Sequence, residues 1–191
     1  MKEPHIKVII PAFNEANSIG RVIADIPKHV NEVIVVSNNS TDKTIAIAES
    51  AGATVLEENQ RGYGYACLKG LAYIKESLVK PDIIVFLDGD YSDYPEYLDA
   101  IVRPIIKCDV DLVIGARAKE LREDGSMTTP QIFGNWLATR LMKLFFKSRF
   151  TDLGPFRAIK YDTLLGLEME DKTYGWTVEM QLKALEQRLA Y

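Results

Sequence analysis

The sequence is poor in the residues that metal-independent acid–base and redox chemistry most often use. Only two cysteines and two histidines occur among its 191 residues. Cys67 and Cys108 are far apart and have no neighbouring cysteine or histidine pair, which excludes a disulfide framework and a zinc ribbon and fits a reducing compartment. Neither His5 nor His29 stands in a catalytic pattern. Catalysis by this chain would therefore rest on carboxylates, arginines and a metal ion.

Positive charge and long apolar segments are also scarce. The 23 lysines and arginines are outnumbered by 27 aspartates and glutamates, and the net charge of -4 gives no general attraction to nucleic acid. No apolar run reaches the roughly 20 residues needed to cross a bilayer, and residues 1–4 lack the apolar core of a signal peptide. The sequence predicts a cytoplasmic protein with no nucleic-acid partner, and it leaves open a peripheral position at the cytoplasmic membrane.

The most informative stretch is an apolar run that ends at Asp88, Gly89 and Asp90. Residues 83–87 are rich in β-branched and aromatic types, which predicts a strand buried on both faces. The end of such a strand borders the ligand crevice of an open α/β sheet. Two carboxylates there suit Mg²⁺ or Mn²⁺ that arrives with a phosphorylated substrate. A plain turn also explains Asp and Gly at a strand end, so this motif alone leaves both interpretations open.

Strands and helices alternate through the first part of the chain. Besides 83–87, strands are predicted at residues 6–10, 32–36, 54–56 and 112–115, and helices at 18–26, 41–50, 62–76 and 95–107. This alternation predicts an α/β fold with a mostly parallel central sheet and helices on both faces. The remaining elements are predicted as a helix at 130–147, a strand at 156–160, a helix at 176–187 and the beginning of a strand at 188–191.

The carboxyl ends of these strands are expected to form a polar rim around one crevice. Residues 11–15, 37–39 and 88–90 and Arg117 follow four of the strands. The P-loop signature is absent, and residues 61–64 are not a dinucleotide fingerprint after the first strand. The pattern therefore disfavours a kinase and a dinucleotide oxidoreductase. It suits a nucleoside diphosphate with a metal ion.

Four motifs in sequence order carry a resemblance to a known family. They are Pro-Ala-Phe-Asn-Glu at 11–15, Ser-Asn-Asn-Ser-Thr-Asp at 37–42, Gly-Tyr-Gly at 62–64 and Asp-Gly-Asp at 88–90. Together they resemble a family-2 glycosyltransferase with the Rossmann-like GT-A fold, and within it the dolichyl- or polyprenyl-phosphate mannosyl- and glucosyltransferases. The resemblance implies a single domain over residues 1–191, with a nucleotide-sugar half at 1–117 and an acceptor half at 118–191.

The activity implied by the resemblance is metal-dependent, inverting transfer of a hexose. The donor would be a GDP- or UDP-sugar, the metal Mg²⁺ or Mn²⁺, and the acceptor a polyprenyl or dolichyl phosphate. A homodimer is compatible with this type of enzyme. The implied metal ligands are Asp90 and Asp88, and the implied nucleotide-sugar contacts are Pro11, Ala12, Phe13, Glu15, Ser37, Asn39, Asp88, Gly89 and Arg117.

Two residues are implied as catalytic, Asp90 through the metal and Arg157 as a donor to phosphate oxygens. Asp152 is the candidate catalytic base, and a turn-forming aspartate is the alternative interpretation. Arginine presents the fork of N–H donors that phosphate recognition favours. A base is needed only for a hydroxyl acceptor, because a lipid phosphate is already an anion near neutral pH. Glu179, on the last predicted helix, occupies a place where the family often has an acidic residue near the acceptor; an ordinary solvent-facing position on that helix is the alternative interpretation.

The chain departs from the family pattern at two places. Ser37 stands where the family usually has an aspartate after the second strand, so the identity of the nucleotide stays open. Relatives usually continue beyond the position of residue 191, so the acceptor half is expected to be truncated. Two alternatives therefore remain: a nucleotide-binding family member without turnover, and a glycosyltransferase with a sugar-hydroxyl acceptor. A sugar nucleotidyltransferase is disfavoured, because residues 11–15 replace its glycine-rich loop.

One locally basic segment breaks the acidic character of the chain. It contains Arg140, Lys143, Lys147 and Arg149. Such a cluster is most often a solvated helix face. The alternative interpretation is a docking surface for anionic lipid headgroups or for an acceptor phosphate.

Overall fold

The computed structural model describes residues 3–116 and 129–191. Its centre is a six-stranded sheet with the order β3-β2-β1-β4-β6-β5. The strands are β1 (Ile6–Ala12), β2 (Glu32–Ser37), β3 (Thr54–Glu57), β4 (Ile83–Phe86), β5 (Leu112–Ile114) and β6 (Arg157–Lys160). The helices are α1 (Ile19–Asp25), α2 (Thr44–Ser50), α3 (Tyr63–Glu76), α4 (Leu98–Cys108), α5 (Thr129–Phe146), α6 (Tyr161–Gly166) and α7 (Trp176–Glu186).

The sheet is mostly parallel, as the alternation of elements predicts. β1 pairs in parallel with β2 and β4, so that Ile9 lies between Ile34 and Phe86. β6 is antiparallel to both of its neighbours, β4 and β5. The prediction of an α/β fold with a mostly parallel sheet is confirmed.

Two apolar layers cover the sheet, one on each face. The first is built from α1, α2 and α4 against alternate residues of β1, including Val8 and Ile10. The second is built from α3, α6 and α7 against the other face, including Ile9 and Phe86. The central strands are buried on both faces, which is why their sequences are almost continuously apolar.

Lys7 is the one charged residue of β1, and it is buried. Its ammonium group lies 2.7 Å from Glu32 Oε2 and donates to Ser77 Oγ at 3.3 Å. Glu32 also accepts hydrogen bonds from Tyr73 (2.8 Å) and Thr54 (2.9 Å). Burial alone would raise the pKa of Glu32, but the hydrogen bonds from Lys7, Tyr73 and Thr54 outweigh it and lower that pKa. Glu32 therefore supplies the negative charge without which the Lys7 ammonium would be buried unpaired.

Several element boundaries differ from the sequence prediction. α2 begins at Thr44 rather than near residue 41, because Asp42 accepts a hydrogen bond from the Thr44 amide and holds the preceding turn. The segment from residue 95 begins as a 3₁₀ turn, Pro95–Tyr97, before α4. α6 was not predicted, since its six residues are too few to show a helical period.

The predicted strand at residues 188–191 is wrong. Arg188 has a positive φ of 57°, which turns the backbone away from an extended path. Ala190 joins this end to the start of β5: its carbonyl accepts from the amides of Asp111 (2.8 Å) and Leu112 (3.2 Å), and its amide donates to Asp111 Oδ2 at 3.0 Å. The ring of Tyr191 instead stacks on Phe150, with 4.1 Å between ring centroids.

The segment between β5 and β6 leaves the sheet and returns to it at one point. The Gly115 amide donates to Phe156 O at 2.8 Å, so both ends of the segment are joined at the rim of the sheet. This segment includes α5. Within residues 3–116 and 129–191, no helix is both long and apolar enough to pass through a membrane.

Candidate active site at the carboxyl edge of the sheet

A cavity of about 300 Å³ opens where β1 and β4 end. This is the edge at which open α/β sheets bind their ligands. Seven of the residues predicted from sequence line the cavity: Pro11, Ala12, Phe13, Glu15, Asp88, Gly89 and Asp90. The structure therefore brings together the ends of the first and the central strand, as the crevice prediction required.

The turn after β1 is held by the segment after β2. Asn14 has a positive φ of 59°, and its side-chain oxygen accepts from the Thr41 amide at 2.8 Å. The Glu15 amide donates to Thr44 Oγ1 at 2.8 Å. These bonds fix residues 13–15 at the rim, where the ring of Phe13 is 51% exposed. The Arg61 guanidinium lies 6.0 Å from the centre of that ring.

Gly89 allows the end of β4 to approach this turn closely. A Cβ atom at residue 89 would lie 3.3 Å from Glu15 Cγ and 3.5 Å from Ala12 Cβ. The two flanking carboxylates differ in their surroundings. Asp88 is half-buried above α3, whereas Asp90 is exposed and accepts from the Ser92 amide at 2.9 Å.

Negative charge is concentrated at this rim. Burial raises the pKa of Glu15, and the nearby carboxylates of Asp90 and Asp42 raise it further, although a hydrogen bond from Ser18 lowers it. A carboxylate with a raised pKa beside two others is a place where a bound cation would relieve repulsion.

The donor set fits a divalent ion that is only partly held by protein. Among the residues described, no group of three or more His, Cys, Asp or Glu side chains forms a complete metal site. Asp88 and Asp90 supply two hard oxygen donors on either side of Gly89. Mg²⁺ characteristically uses one or two carboxylates and completes its coordination with substrate phosphates and water, so these residues fit such an ion.

A buried layer lies beneath Asp88. Burial raises the pKa of the Tyr63 hydroxyl well above its ordinary value, and the Asp88 charge adds to this effect. The Cys67 thiol has a raised pKa for the same two reasons. Burial lowers the pKa of the Arg157 guanidinium to about 10, although neighbouring groups including Asp88 act in the opposite direction. The layer therefore places one cation beneath the Asp88 carboxylate.

The Arg157 guanidinium does not line the cavity, where a hydrogen-bond donor to phosphate oxygens would have to lie. The side chain is 0% exposed. Nε donates to Gly154 O (3.1 Å), and the terminal nitrogens donate to Thr177 O (3.0 Å), Leu153 O (3.0 Å) and again Gly154 O. Direct contact with a phosphate stays a prediction. The observed contacts are those of a positioning residue that joins β6, the preceding turn and α7.

Three further predicted residues lie away from the cavity lining. Ser37 is 2% exposed at the end of β2, and its carbonyl accepts from the Glu58 amide. The Asn39 side chain donates to Asn59 O at 2.8 Å. Asp152 is 3% exposed, accepts from the Leu153 amide at 2.8 Å and borders a different cavity. Arg117 lies outside the described residues.

The cavity is also lined by Asn38, which belongs to the predicted polar rim, and by five residues that sequence reasoning did not assign to it: Arg61, Gly62, Tyr63, Ala66 and Tyr174. Asn38 orders the glycine-rich turn, since its side-chain oxygen accepts from the Gly62 amide at 2.8 Å. The Gly-Tyr-Gly motif contributes to the family resemblance without a predicted role in the site, and the structure shows that it carries Tyr63 into the cavity floor. Tyr174 is 87% exposed and stands in no pattern that would have marked it.

The start of α3 is joined to the segment that carries Tyr174. The amides of Gly64 and Tyr65 donate to the carbonyls of Thr173 and Lys172, each at 3.1 Å. A Cβ at Gly64 would lie only 2.0 Å from Asp171 O. Close backbone contact therefore explains both the glycine and the position of this rim.

Glu179 supports the same segment from below. Its carboxylate accepts from the amides of Glu170 and Asp171, each at 2.8 Å, and lies 2.9 Å from the Lys183 ammonium. Burial alone would raise the pKa of Glu179, but the hydrogen bonds from Lys183 and from the two amides lower it. These contacts hold the Glu179 carboxylate to the protein, whereas a general base must present its carboxylate to the acceptor hydroxyl.

Comparison with known proteins identifies the family. The profile of Glycosyl transferase family 2 matches residues 7–165. An uncharacterized protein of Methanocaldococcus jannaschii is 31% identical over 138 residues, which are 71% of this chain and 56% of that protein. The glycosyltransferase AglJ of Haloferax volcanii is 28% identical over 178 residues, which are 92% of this chain and 57% of that protein. The chain thus spans little more than half the length of these two relatives.

Solved structures agree on the fold. The crystal structure of glucosyl-3-phosphoglycerate synthase from Mycobacterium tuberculosis with Mn²⁺, UDP-glucose and phosphoglyceric acid matches with a TM-score of 0.76 at 23% identity, over 96% of this chain and 66% of that one. The complex of the same enzyme with Mn²⁺, UDP and glucosyl-3-phosphoglycerate gives a TM-score of 0.77 at 23% identity, with the same coverage. With the family profile over most of its length and this fold around the cavity, the chain belongs to glycosyl transferase family 2.

Proposed function

We propose that this chain transfers a hexose from a nucleoside diphosphate sugar to a polyprenyl or dolichyl phosphate, with Mg²⁺ or Mn²⁺ and with inversion at the anomeric carbon. The observation that carries the proposal is the single cavity in which the turn after β1 meets Asp88, Gly89 and Asp90 at the end of β4. That arrangement provides a site for a nucleoside beside a site for a diphosphate with its metal.

The nucleoside would lie against the rim formed by the turn after β1. Phe13 offers an exposed aromatic face, and an aromatic face favours stacking with a planar base. The Arg61 guanidinium, close to that ring, is placed for an anionic part of the donor. Neither contact distinguishes uridine from guanosine, so the proposal includes both donors.

Asp90 and Asp88 would hold the metal. When bound, the ion neutralises the charge that develops on the leaving nucleoside diphosphate. Asp90 is exposed and can turn towards an incoming ion, whereas Asp88 is positioned by the layer that contains Tyr63 and Arg157. Mn²⁺ and UDP-glucose are bound by the structurally similar synthase of Mycobacterium tuberculosis, which supports this part of the proposal.

The surroundings of the acidic residues favour an acceptor that is already an anion. A hydroxyl acceptor would need a carboxylate base within hydrogen-bond reach. Asp152 borders another cavity, and the Glu179 carboxylate is engaged by two amides and Lys183. A lipid phosphate needs no such base. A phosphorylated hydroxyl acceptor is the second candidate, favoured by the phosphoglyceric acid in the similar synthase.

Donor binding is tested by thermal unfolding with UDP-glucose, GDP-mannose and related donors, with and without Mn²⁺. At a concentration of about 100 times Kd, a ligand stabilises the folded state by about 2.7 kcal/mol. For a chain of this size we expect Tm to rise by about 5–10 °C. Asp90→Asn should remove the metal-dependent part of that rise, whereas Asp162→Asn, an exposed aspartate on α6, should leave it unchanged. An unaltered response in Asp90→Asn would refute the metal assignment.

Transfer itself is tested by mass spectrometry with two acceptors, a polyprenyl phosphate and 3-phosphoglycerate. A hexosyl adduct on the polyprenyl phosphate supports the proposal, and its anomeric configuration by NMR tests inversion. An adduct on phosphoglycerate alone would favour the hydroxyl-acceptor alternative. Donor binding without transfer or hydrolysis would instead identify a binding protein without turnover.

A further inference from the structure

Helix α5 presents large apolar side chains to solvent. Leu137, Leu141, Leu144 and Phe145 are 40%, 45%, 72% and 72% exposed. Their spacing of i, i+4, i+7 and i+8 places them along one side of the helix. Soluble proteins rarely expose contiguous apolar surface, and where they do, it commonly marks an interaction site.

The other side of α5 is attached to the protein. Met142 is only 2% exposed, and the Asn135 side-chain oxygen accepts from the Leu153 amide at 2.9 Å. α5 also packs on α7. The exposed apolar side is therefore the outer face of a docked helix.

Charge in this region has one sign. Residues 125–151 contain no aspartate or glutamate but do contain Arg140, Lys143, Lys147 and Arg149, in a chain whose net charge is -4. All four basic residues are exposed. A partner of this face must therefore combine an apolar interior with negative charge.

The basic side of α5 also carries a tryptophan. Trp136 is 50% exposed, and the Arg140 guanidinium lies 5.4 Å from its ring centre. Lys143, seven residues after Trp136, lies on the same side of the helix. Tryptophan and long basic side chains bury an apolar part while their polar ends stay hydrated, which is the chemistry found at a membrane–water boundary.

We infer that α5 docks this protein on an anionic lipid surface, with its apolar side in the headgroup region and its basic side at the phosphates. A second copy of the chain fits less well. A symmetric contact through α5 would bring two copies of the same four basic residues, and no acidic partner from α5, into one interface. The inference does not rest on the proposed glycosyl transfer, because it concerns a different face and is measured without substrate.

The experiment is co-sedimentation of the full chain with vesicles of phosphatidylcholine, alone or with about one third phosphatidylserine. We expect binding to the anionic vesicles, little binding to neutral ones, and weakening in high salt because surface charge is screened. The Trp136 emission should shift to shorter wavelength on binding. Trp176 is fully buried and should contribute a constant signal, so Trp136→Phe should abolish the shift.

Two double variants separate the contributions. Arg140→Gln with Lys143→Gln should weaken binding about 25-fold, since each basic residue near an anionic surface contributes about fivefold. Lys69→Gln with Lys75→Gln, two exposed lysines of α3, is the matched control and should bind within about twofold of the parent, because neither residue belongs to α5. Leu141→Gln with Leu144→Gln should abolish the spectral shift. Its control is Leu78→Gln with Val79→Gln, two exposed apolar residues elsewhere.

The inference is overturned if the chain binds neutral and anionic vesicles equally, or if the α5 variants bind as tightly as their controls. It is also overturned if light scattering shows a dimer in the absence of vesicles that the α5 variants dissociate. Unfolding curves of every variant establish that it is folded. If the leucine variant does not fold, the charge variant, whose changes lie at exposed positions, still decides the question.

Discussion

Replacement of Arg157 distinguishes a positioning role from direct contact with a ligand. The structure buries its guanidinium completely and surrounds it with the carbonyls of Gly154, Leu153 and Thr177. Arg157→Met retains much of the apolar volume of the side chain and removes all of its donors. We therefore expect a large loss of stability, whether or not a donor sugar is present.

The magnitude follows from the contacts that are lost. Removing one member of a buried pair of opposite charges typically lowers the free energy of unfolding by about 3–5 kcal/mol. Each buried carbonyl left without a hydrogen-bond donor lowers it by about 1–3 kcal/mol before relaxation or water entry. We expect the free energy of unfolding to fall by about 4 kcal/mol, a large part of the roughly 5–15 kcal/mol available to a typical domain. The corresponding decrease in Tm is about 10 °C. Arg103→Met, on the exposed side of α4, should change the free energy by less than about 0.5 kcal/mol.

Urea unfolding followed by circular dichroism measures the loss, and thermal shift with a donor sugar and Mn²⁺ measures binding. We expect folded Arg157→Met, studied below its lowered Tm, still to respond to the donor, with affinity reduced only as far as Asp88 is displaced. A variant of near-normal stability that no longer responds to the donor would refute this expectation. That outcome would place Arg157 in contact with the ligand.

Two further changes test the cleft and the buried ion pair. Gly64→Ala should lower the free energy of unfolding by about 1–3 kcal/mol and weaken donor binding, because its Cβ would meet Asp171 O. Gly166→Ala is the control: its Cβ would meet open space, so neither stability nor donor binding should change. Urea unfolding measures the first quantity and thermal shift with the donor measures the second. Glu32→Gln should destabilise the protein by about 3 kcal/mol at neutral pH by leaving Lys7 buried without its partner. The pKa of Glu32 is lower in the folded state than its ordinary 4.5, so its contribution is present above pH 4.5 and is lost as the pH falls through the folded value. Unfolding curves at several pH values should therefore show the difference between Glu32→Gln and the parent shrinking below pH 4.5, and a difference independent of pH would contradict the assignment.

The sequence was sufficient to predict the centre of the site, for a physical reason. A strand buried on both faces must be apolar along its length, so the change to Asp88, Gly89 and Asp90 marks its end. Because the carboxyl ends of neighbouring parallel strands meet at one edge of the sheet, the sequence alone places residues 11–15 beside residues 88–90.

The rest of the site depends on contacts between distant parts of the chain. Arg157 begins a strand, where a charged side chain is usually exposed, and one of its carbonyl partners belongs to Thr177, twenty residues later. The close contact between Gly64 and Asp171 likewise joins segments that no local period relates. Such contacts come from the docking of α7 and the segment before it, which hydrophobic periodicity does not describe.

The hydrogen bond between Gly115 and Phe156 bears on how the segment between β5 and β6 can differ among relatives. The chain leaves the sheet at Gly115 and returns to it at Phe156, so the intervening segment has a fixed base. Because the entropic cost of closing a loop grows only slowly with its length, such a segment tolerates extension or replacement. A chimaera that exchanges this segment between relatives should keep the cavity at β1 and β4 while it changes what the neighbouring face binds.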